Sequence, residues 1–132
     1  MEKIIWNEKF SVGIREIDAQ HKELIRMINQ LIETKDTKVD SETISDILTK
    51  MTQYTDYHFQ TEEQYLIDNN YPDYASHKEQ HAKFKKKAVA FCMETMAYKE
   101  TVPTEILSFL KDWLTNHILE SDMKYKSLLK EK

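Results

Sequence analysis

Ile44, Leu48, Met51, Thr55, His58, Glu62, Tyr65 and Asn69 follow one another at alternating steps of four and three residues. Such a series marks one face of a long helix, the face that a bundle turns towards its neighbours. A histidine and a carboxylate stand inside it, four residues apart, so both side chains can reach one point in space. Burying either is costly unless it is paired or bound to a metal. Whatever this chain folds into has to satisfy His58 and Glu62 from the inside.

Three more stretches carry the same period. The first is expected over about 18–33, with Ile17, His21, Leu24, Ile28 and Leu31 facing inward, Ile25 and Ile32 flanking them, and Asp18 as the N-cap. The helix that holds His58 is expected over about 41–68. Asn69-Asn70-Tyr71-Pro72-Asp73 stops it, because a proline disfavours helix at the residue before it. A third helix is expected over about 74–97, its stripe being His77, His81, Phe84, Ala88, Phe91 and Thr95. The fourth is expected over about 103–129, with Pro103 in the first turn, where proline is tolerated. Its stripe reads Ile106, Leu110, Trp113, His117 and Ser121, flanked by Leu107, Leu114, Ile118 and Tyr125.

Residues 1 to about 17 read as an extended arm that packs over the bundle through Trp6, Phe10, Val12, Ile14 and Ile17. Gly13 is its one point of backbone freedom. With one Gly and two Pro among 132 residues, little is left for turns, so the connections at 34–40 and 98–102 are short. These features predict one domain over 1–132: an all-α, up-down-up-down antiparallel four-helix bundle with an N-terminal extended arm.

Composition narrows the partners. A net charge of −4 and a pI of about 5.7 leave no nucleic-acid footprint, and Lys83, Lys85, Lys86 and Lys87 read as a solvated helix face. Cys92 is the only cysteine, which excludes an intrachain disulfide and fits a reducing compartment. No apolar run approaches the roughly 20 residues that a membrane span needs. The opening Met-Glu-Lys-Ile-Ile-Trp lacks the apolar core of a signal peptide. A cytoplasmic protein is expected, with neither nucleic acid nor membrane as a partner.

The five histidines, His21, His58, His77, His81 and His117, all fall on the apolar stripes, and together they come from all four helices. Only about a third of helical positions face the core, so chance would place all five there on the order of one time in 200. Buried imidazoles need polar partners, and a core of Leu, Ile, Phe and Met supplies few. A shared metal site would satisfy all five at once. Glu62 shares a face with His58. Asp122 lies five residues after His117, about 140° around an ideal helix. It joins the site only if the site sits between the two side chains or the helix is locally distorted. Seven ligands are too many for one ion: zinc takes four, and calcium or magnesium would not choose imidazoles. Five nitrogens with two carboxylates suit a pair of first-row ions, iron foremost. The Glu-x-x-His motifs of the ferritin-like di-iron proteins are absent, Asp18-x-x-His21 being the nearest approach.

Taken in order, His21 within Ile-Asp-Ala-Gln-His-Lys, His58-x3-Glu62, His77-x3-His81 and His117-x4-Asp122 resemble the complete ligand signature of the hemerythrin family. The flanking Val-Gly-Ile-x-x-Ile-Asp-x-Gln-His-Lys and Asp-Trp-Leu-x-x-His-Ile are similar to its bacterial branch, as is the long gap between His81 and His117. The resemblance covers nearly the whole chain, and the four-helix bundle is in part its implication, since myohemerythrin exemplifies that fold.

The resemblance implies two non-haem iron ions joined by an oxo or hydroxo bridge. His77, His81 and His117 would hold one iron and His21 and His58 the other, with Glu62 and Asp122 bridging the two. Dioxygen would bind the second iron, in an oxygen pocket of Leu24, Phe59, Trp113, Leu114 and Ile118 that keeps out water and acids. Each of these five also reads as ordinary core packing. The implied function is reversible dioxygen binding by a monomer that is not an enzyme, for oxygen storage or for delivery to an oxygen-consuming enzyme. Two alternatives stand beside it. One is an oxygen or redox sensor acting through a separate partner protein, since the chain has no room for a signalling module. The other is a di-iron enzyme acting on peroxide or nitric oxide, against which stands the lack of an acid–base group beside the pocket.

Overall fold

A computed structural model describes residues 2–34, 41–98 and 104–129. Those residues form four α-helices, α1 (Arg15–Thr34), α2 (Ser41–Asp68), α3 (Tyr74–Tyr98) and α4 (Thr104–Asn116). The helices make an up-down four-helix bundle in which α1 and α3 each pack on both α2 and α4. No strand is present among the described residues, and no helix there is long and apolar enough to cross a membrane. Of the connections expected at 34–40 and 98–102, Thr34 and Tyr98 are the last residues of α1 and α3, and the rest lie outside the described residues, as do Pro103 and the side chains of Ile44, Phe91, Cys92, Thr95 and Ile106.

The stripe of α2 turns inward as its spacing requires: Leu48, Met51, Thr55, His58, Glu62 and Tyr65 are all buried. At about 42 Å, the 28-residue helix runs well past the site it carries. It ends at Asp68, and two residues on stands Asn70, whose φ of 53° places it in the left-handed region. Tyr71 N–H donates to Leu66 O at 2.9 Å and Asn70 N–H to Ile67 O at 3.1 Å. This is a Schellman cap with Asn in the place of the commoner Gly, and Leu66 and Tyr71 belong to the same apolar cluster. Pro72 follows, where the helix cannot continue.

Helix α1 begins three residues earlier than expected, at Arg15. Asp18 is therefore not its N-cap, since the Asp18 N–H already donates to Ile14 O. Its carboxylate is used differently, accepting from Ser11 Oγ at 2.6 Å and from Val12 N–H at 2.9 Å. Asp18 thus ties the arm back onto the first turn, where a negative charge also suits the helix dipole. Gly13, at φ 80°, makes the bend between them.

The arm is extended apart from one 3₁₀ turn, Glu8–Phe10, which packs against residues 117–121. Asn29 pins its beginning by a paired contact, accepting from Ile4 N–H at 2.8 Å and donating to Ile4 O at 2.9 Å. Ile4, Phe10, Val12, Ile14 and Ile17 are all buried. Each such side chain contributes about 1.5–3 kcal/mol of burial, so the arm is part of the core.

The fourth helix departs from a uniform run over 103–129. After Asn116 the chain passes into a π turn, His117–Ser121, then a 3₁₀ turn, Asp122–Tyr125. The flank Leu107, Leu114 and Ile118 is fully buried alongside Leu110, while Trp113 is only half-buried.

Candidate metal centre

Each helix brings its histidines inward by the spacing already described, and the π turn completes the set. Asp122 N–H donates to the carbonyls of both His117 and Ile118. The i to i+5 bond widens the turn, so five residues make about one revolution and Asp122 comes to lie under His117. In a regular α-helix the same pair would stand about 140° apart. The local distortion is what admits Asp122.

All seven expected ligands meet in one place. His21, His58, Glu62, His77, His81, His117 and Asp122 are each at most 6% exposed. Glu62 and Asp122 divide their oxygens between two groups of imidazoles. Glu62 Oε1 lies 2.6 Å from His77 Nε2, 3.1 Å from His81 Nε2 and 3.9 Å from His117 Nε2. Asp122 Oδ1 lies 3.0 Å from both His77 Nε2 and His117 Nε2. On the other side, Glu62 Oε2 is 3.5 Å from His21 Nε2 and 3.4 Å from His58 Nε2, and Asp122 Oδ2 is 3.2 Å from His21 Nε2.

The donor atoms fit a metal better than they fit one another. His81 Nε2 and His117 Nε2 face each other at 3.0 Å. Two nitrogens on adjacent octahedral positions, each about 2.1 Å from one ion, stand about 3.0 Å apart. Both ring nitrogens of His21 and both oxygens of Asp122 are buried without a hydrogen-bond partner. Orphaned groups at this depth are rare in proteins and point to a missing ligand. The buried histidine and carboxylate cluster therefore fits a metal site.

Without a metal the cluster holds protons instead. Burial opposes the charged imidazolium of His21, but Asp122 and Glu62 outweigh it and raise its pKa to about 9. The same contest raises His77 to about 9 and His117 to about 10. Burial dominates at His58 and, with His21 beside it, lowers its pKa. Glu62 and Asp122 are both held well below the usual carboxylate range, because several imidazoles overcome the effect of burial.

Three residues outside the expected ligand set complete the surroundings, of which only Tyr125 was marked by the spacing. Gln20 Oε1 lies 2.8 Å from His58 Nδ1, Glu63 Oε2 lies 2.8 Å from His81 Nδ1, and Tyr125 OH donates to Glu62 Oε2 at 3.1 Å. Gln20 and Glu63 are the chain neighbours of His21 and Glu62; adjacency to a ligand was the one visible mark of Glu63, while Gln20 also stands in the Ile-Asp-x-Gln-His-Lys run.

Aromatic rings fix two imidazoles in place. Phe59 stacks on His81 at 3.8 Å and 3°, and Trp113 on His117 at 4.4 Å and 11°. Leu24, Phe59, Trp113 and Leu114, four of the five expected pocket residues, line a cavity of about 10 Å³ together with Ile28, Met51, Thr55, Phe84 and Leu110. That is about the space of one water-sized molecule. Ile118 is buried in the same apolar cluster but does not line the cavity. None of the lining side chains is ionisable, and the Thr55 hydroxyl is already committed to Met51 O at 2.7 Å.

Comparison with known proteins agrees with this arrangement. The hemerythrin HHE cation binding domain matches residues 12–129. A bacteriohemerythrin of Clostridium acetobutylicum is 33% identical over 125 residues, covering 92% of this chain and 97% of its own. A hemerythrin-like protein of Naegleria gruberi is 35% identical over 124 residues, covering 94% and 92%. Among solved structures, wild-type hemerythrin superposes with a TM-score of 0.88 at 28% identity, covering 96% of this chain and 98% of its own. With this match over most of its length and its seven buried donors gathered at one site, the chain belongs to the hemerythrin family.

Proposed function

We propose that this protein binds dioxygen reversibly at a non-haem di-iron centre, for storage or for delivery to oxygen-requiring enzymes. The observation that carries the reading is the division of the carboxylate oxygens. Glu62 and Asp122 each offer one oxygen to the three-histidine set and the other to the two-histidine set. On this reading His77, His81 and His117 would hold one iron, His21 and His58 the other, and Glu62 and Asp122 both. An oxo or hydroxo group would complete the bridge. With two histidines against three, the chain would offer the second iron one side-chain ligand fewer than the first. The chemistry that bound iron supplies there is reversible electron exchange with dioxygen.

The chain's own residues make that exchange reversible. Leu24, Phe59, Trp113 and Leu114 help to line a space of about one water molecule whose lining has no ionisable side chain. Ile118 is buried in the same apolar cluster. These apolar side chains carry no acidic proton, so the lining itself cannot deliver the proton that would turn binding into irreversible oxidation. The same lining favours a binding protein over an enzyme, since it offers no group for acid–base work.

The test is to load metal-free protein with ferrous iron under argon and to record visible spectra through alternating air and argon. Colour that appears in air and bleaches under argon over repeated cycles is the expected result. Oxidation in one step, with no reversible intermediate, would overturn the reading.

A further inference from the structure

Different chemistry backs the two groups of imidazoles. His81 turns Nε2 into the cluster and Nδ1 outward to Glu63 Oε2 at 2.8 Å. A carboxylate can only accept, so Nδ1 carries the hydrogen and Nε2 keeps an inward lone pair. His58 turns Nδ1 to Gln20 Oε1, also at 2.8 Å. The Gln20 amide is oriented by its own donation to Thr61 Oγ1 at 3.3 Å, the Thr61 hydroxyl having given its hydrogen to Tyr57 O at 3.1 Å. The two contacts are equal in length, but one acceptor is an anion and the other a neutral amide.

That difference has a direction. A carboxylate behind a ligating imidazole strengthens the ring as a donor, and charge-assisted hydrogen bonds are about twice as strong as neutral ones. Glu63 is 17% exposed, so solvent screens it only in part. Glu62 leans the same way. Its Oε2, on the two-histidine side, shares its electrons with Tyr125 OH, while the contacts of Oε1 are with imidazoles alone.

We propose that Glu63 is a positioning residue that makes the three-histidine half of the site the tighter one. That half takes up a divalent first-row cation first, and the Gln20-backed half fills second. The inference rests on the metal-site reading above, and extends it by assigning an order of filling and the residue that sets it.

The test is anaerobic titration of metal-free protein with cobalt(II), following visible absorption with a competing chelator, so no oxygen chemistry is involved. The parent protein is expected to bind two ions in resolved steps. Glu63→Gln keeps an acceptor for His81 Nδ1 but removes the charge, and is expected to weaken the first step about 10–100-fold while leaving the second unchanged. Gln20→Glu supplies the missing charge behind His58 and is expected to tighten the second step. This arm does not depend on how well the Glu63 variant folds. A parent protein that binds no cobalt would overturn the metal-site reading itself, and the proposal with it. Two-step binding in the parent, with Glu63→Gln matching it at the first step, would overturn the proposal alone. So would equal loss at both steps, or a Gln20→Glu protein whose second step is no tighter.

Discussion

Phe59 and Trp113 meet the buried cluster with ring faces, and Leu24, Phe84 and Leu114 pack with them around a small cavity. Tyr71 and Tyr125, from a second apolar cluster that includes Val12, Ile14 and Ile17 of the arm, meet the buried cluster with phenols. The first group stacks on His81 and His117 and encloses a small cavity without an ionisable side chain. The second packs its rings against His77 and hands a hydrogen bond to Glu62 Oε2. Near the phenols lies a polar recess of about 50 Å³ that His77, Gln80, Ser121 and Lys124 help to line. The contrast teaches how one buried site can be both dry and polar. The phenol that hydrogen-bonds Glu62 is kept apart from the apolar cavity, which is the proposed place of dioxygen.

The strongest way to break the contrast is to remove the group that both sides share. Glu62→Ala takes away the carboxylate that five imidazoles and Tyr125 face. Elemental analysis after iron loading is expected to fall from two ions per chain to one or none. Two coupled irons in this variant would show that the bridging role of Glu62 is wrong.

Phe59→Ala strikes the dry side alone. Loss of a fully buried ring that also stacks on His81 is expected to cost about 3–5 kcal/mol in urea unfolding. Both irons should still bind, while the oxygenated form bleaches faster in stopped-flow absorbance because water can enter. An unchanged bleaching rate would detach Phe59 from the oxygen pocket.

Tyr125→Phe strikes the phenolic side. It deletes one hydrogen bond to a buried carboxylate, worth about 1.5–3 kcal/mol in metal-free unfolding experiments. The bleaching rate should be close to that of the parent, since the cavity lining is untouched. If this variant bleached as fast as Phe59→Ala, the separation between the two sides would not hold.

The mildest perturbation is of pH. In the metal-free protein His21 and His77 are raised to about 9 and His117 to about 10, from an ordinary value of 6.5. Their folded pKa values lie above those of the unfolded chain, so their contribution to stability is complete below about 6.5 and is lost as pH rises through 9 to 10. The urea midpoint of metal-free protein should therefore fall between pH 7 and 10. Metal binding needs these three nitrogens deprotonated, so loading at pH 7 should release about three protons from them into a weakly buffered solution.

Much of this organisation is legible in the chain itself. The bounds of α2 and its inward stripe follow from a period that nothing in the fold overrides, and so does the pairing of His58 with Glu62. Helix α1 was harder to read at its start, because Asp18 has the residue type of an N-cap yet spends its carboxylate on the arm. The end of the fourth helix was harder still. A π turn has no hydrophobic signature of its own, and the five-residue step from His117 to Asp122 was its only trace. Gln20 and Glu63 lay beyond pattern reading because each acts on a histidine of another helix, across distances that only the packed bundle defines.

Mössbauer spectroscopy of protein loaded with iron-57 and oxidised in air tests the central claim most directly. Two ferric ions joined by Glu62, Asp122 and a solvent-derived bridge are expected to couple. The spectrum should then show two iron environments of equal area, without magnetic splitting at low temperature. A single environment with the magnetic splitting of an isolated ferric ion would contradict the account.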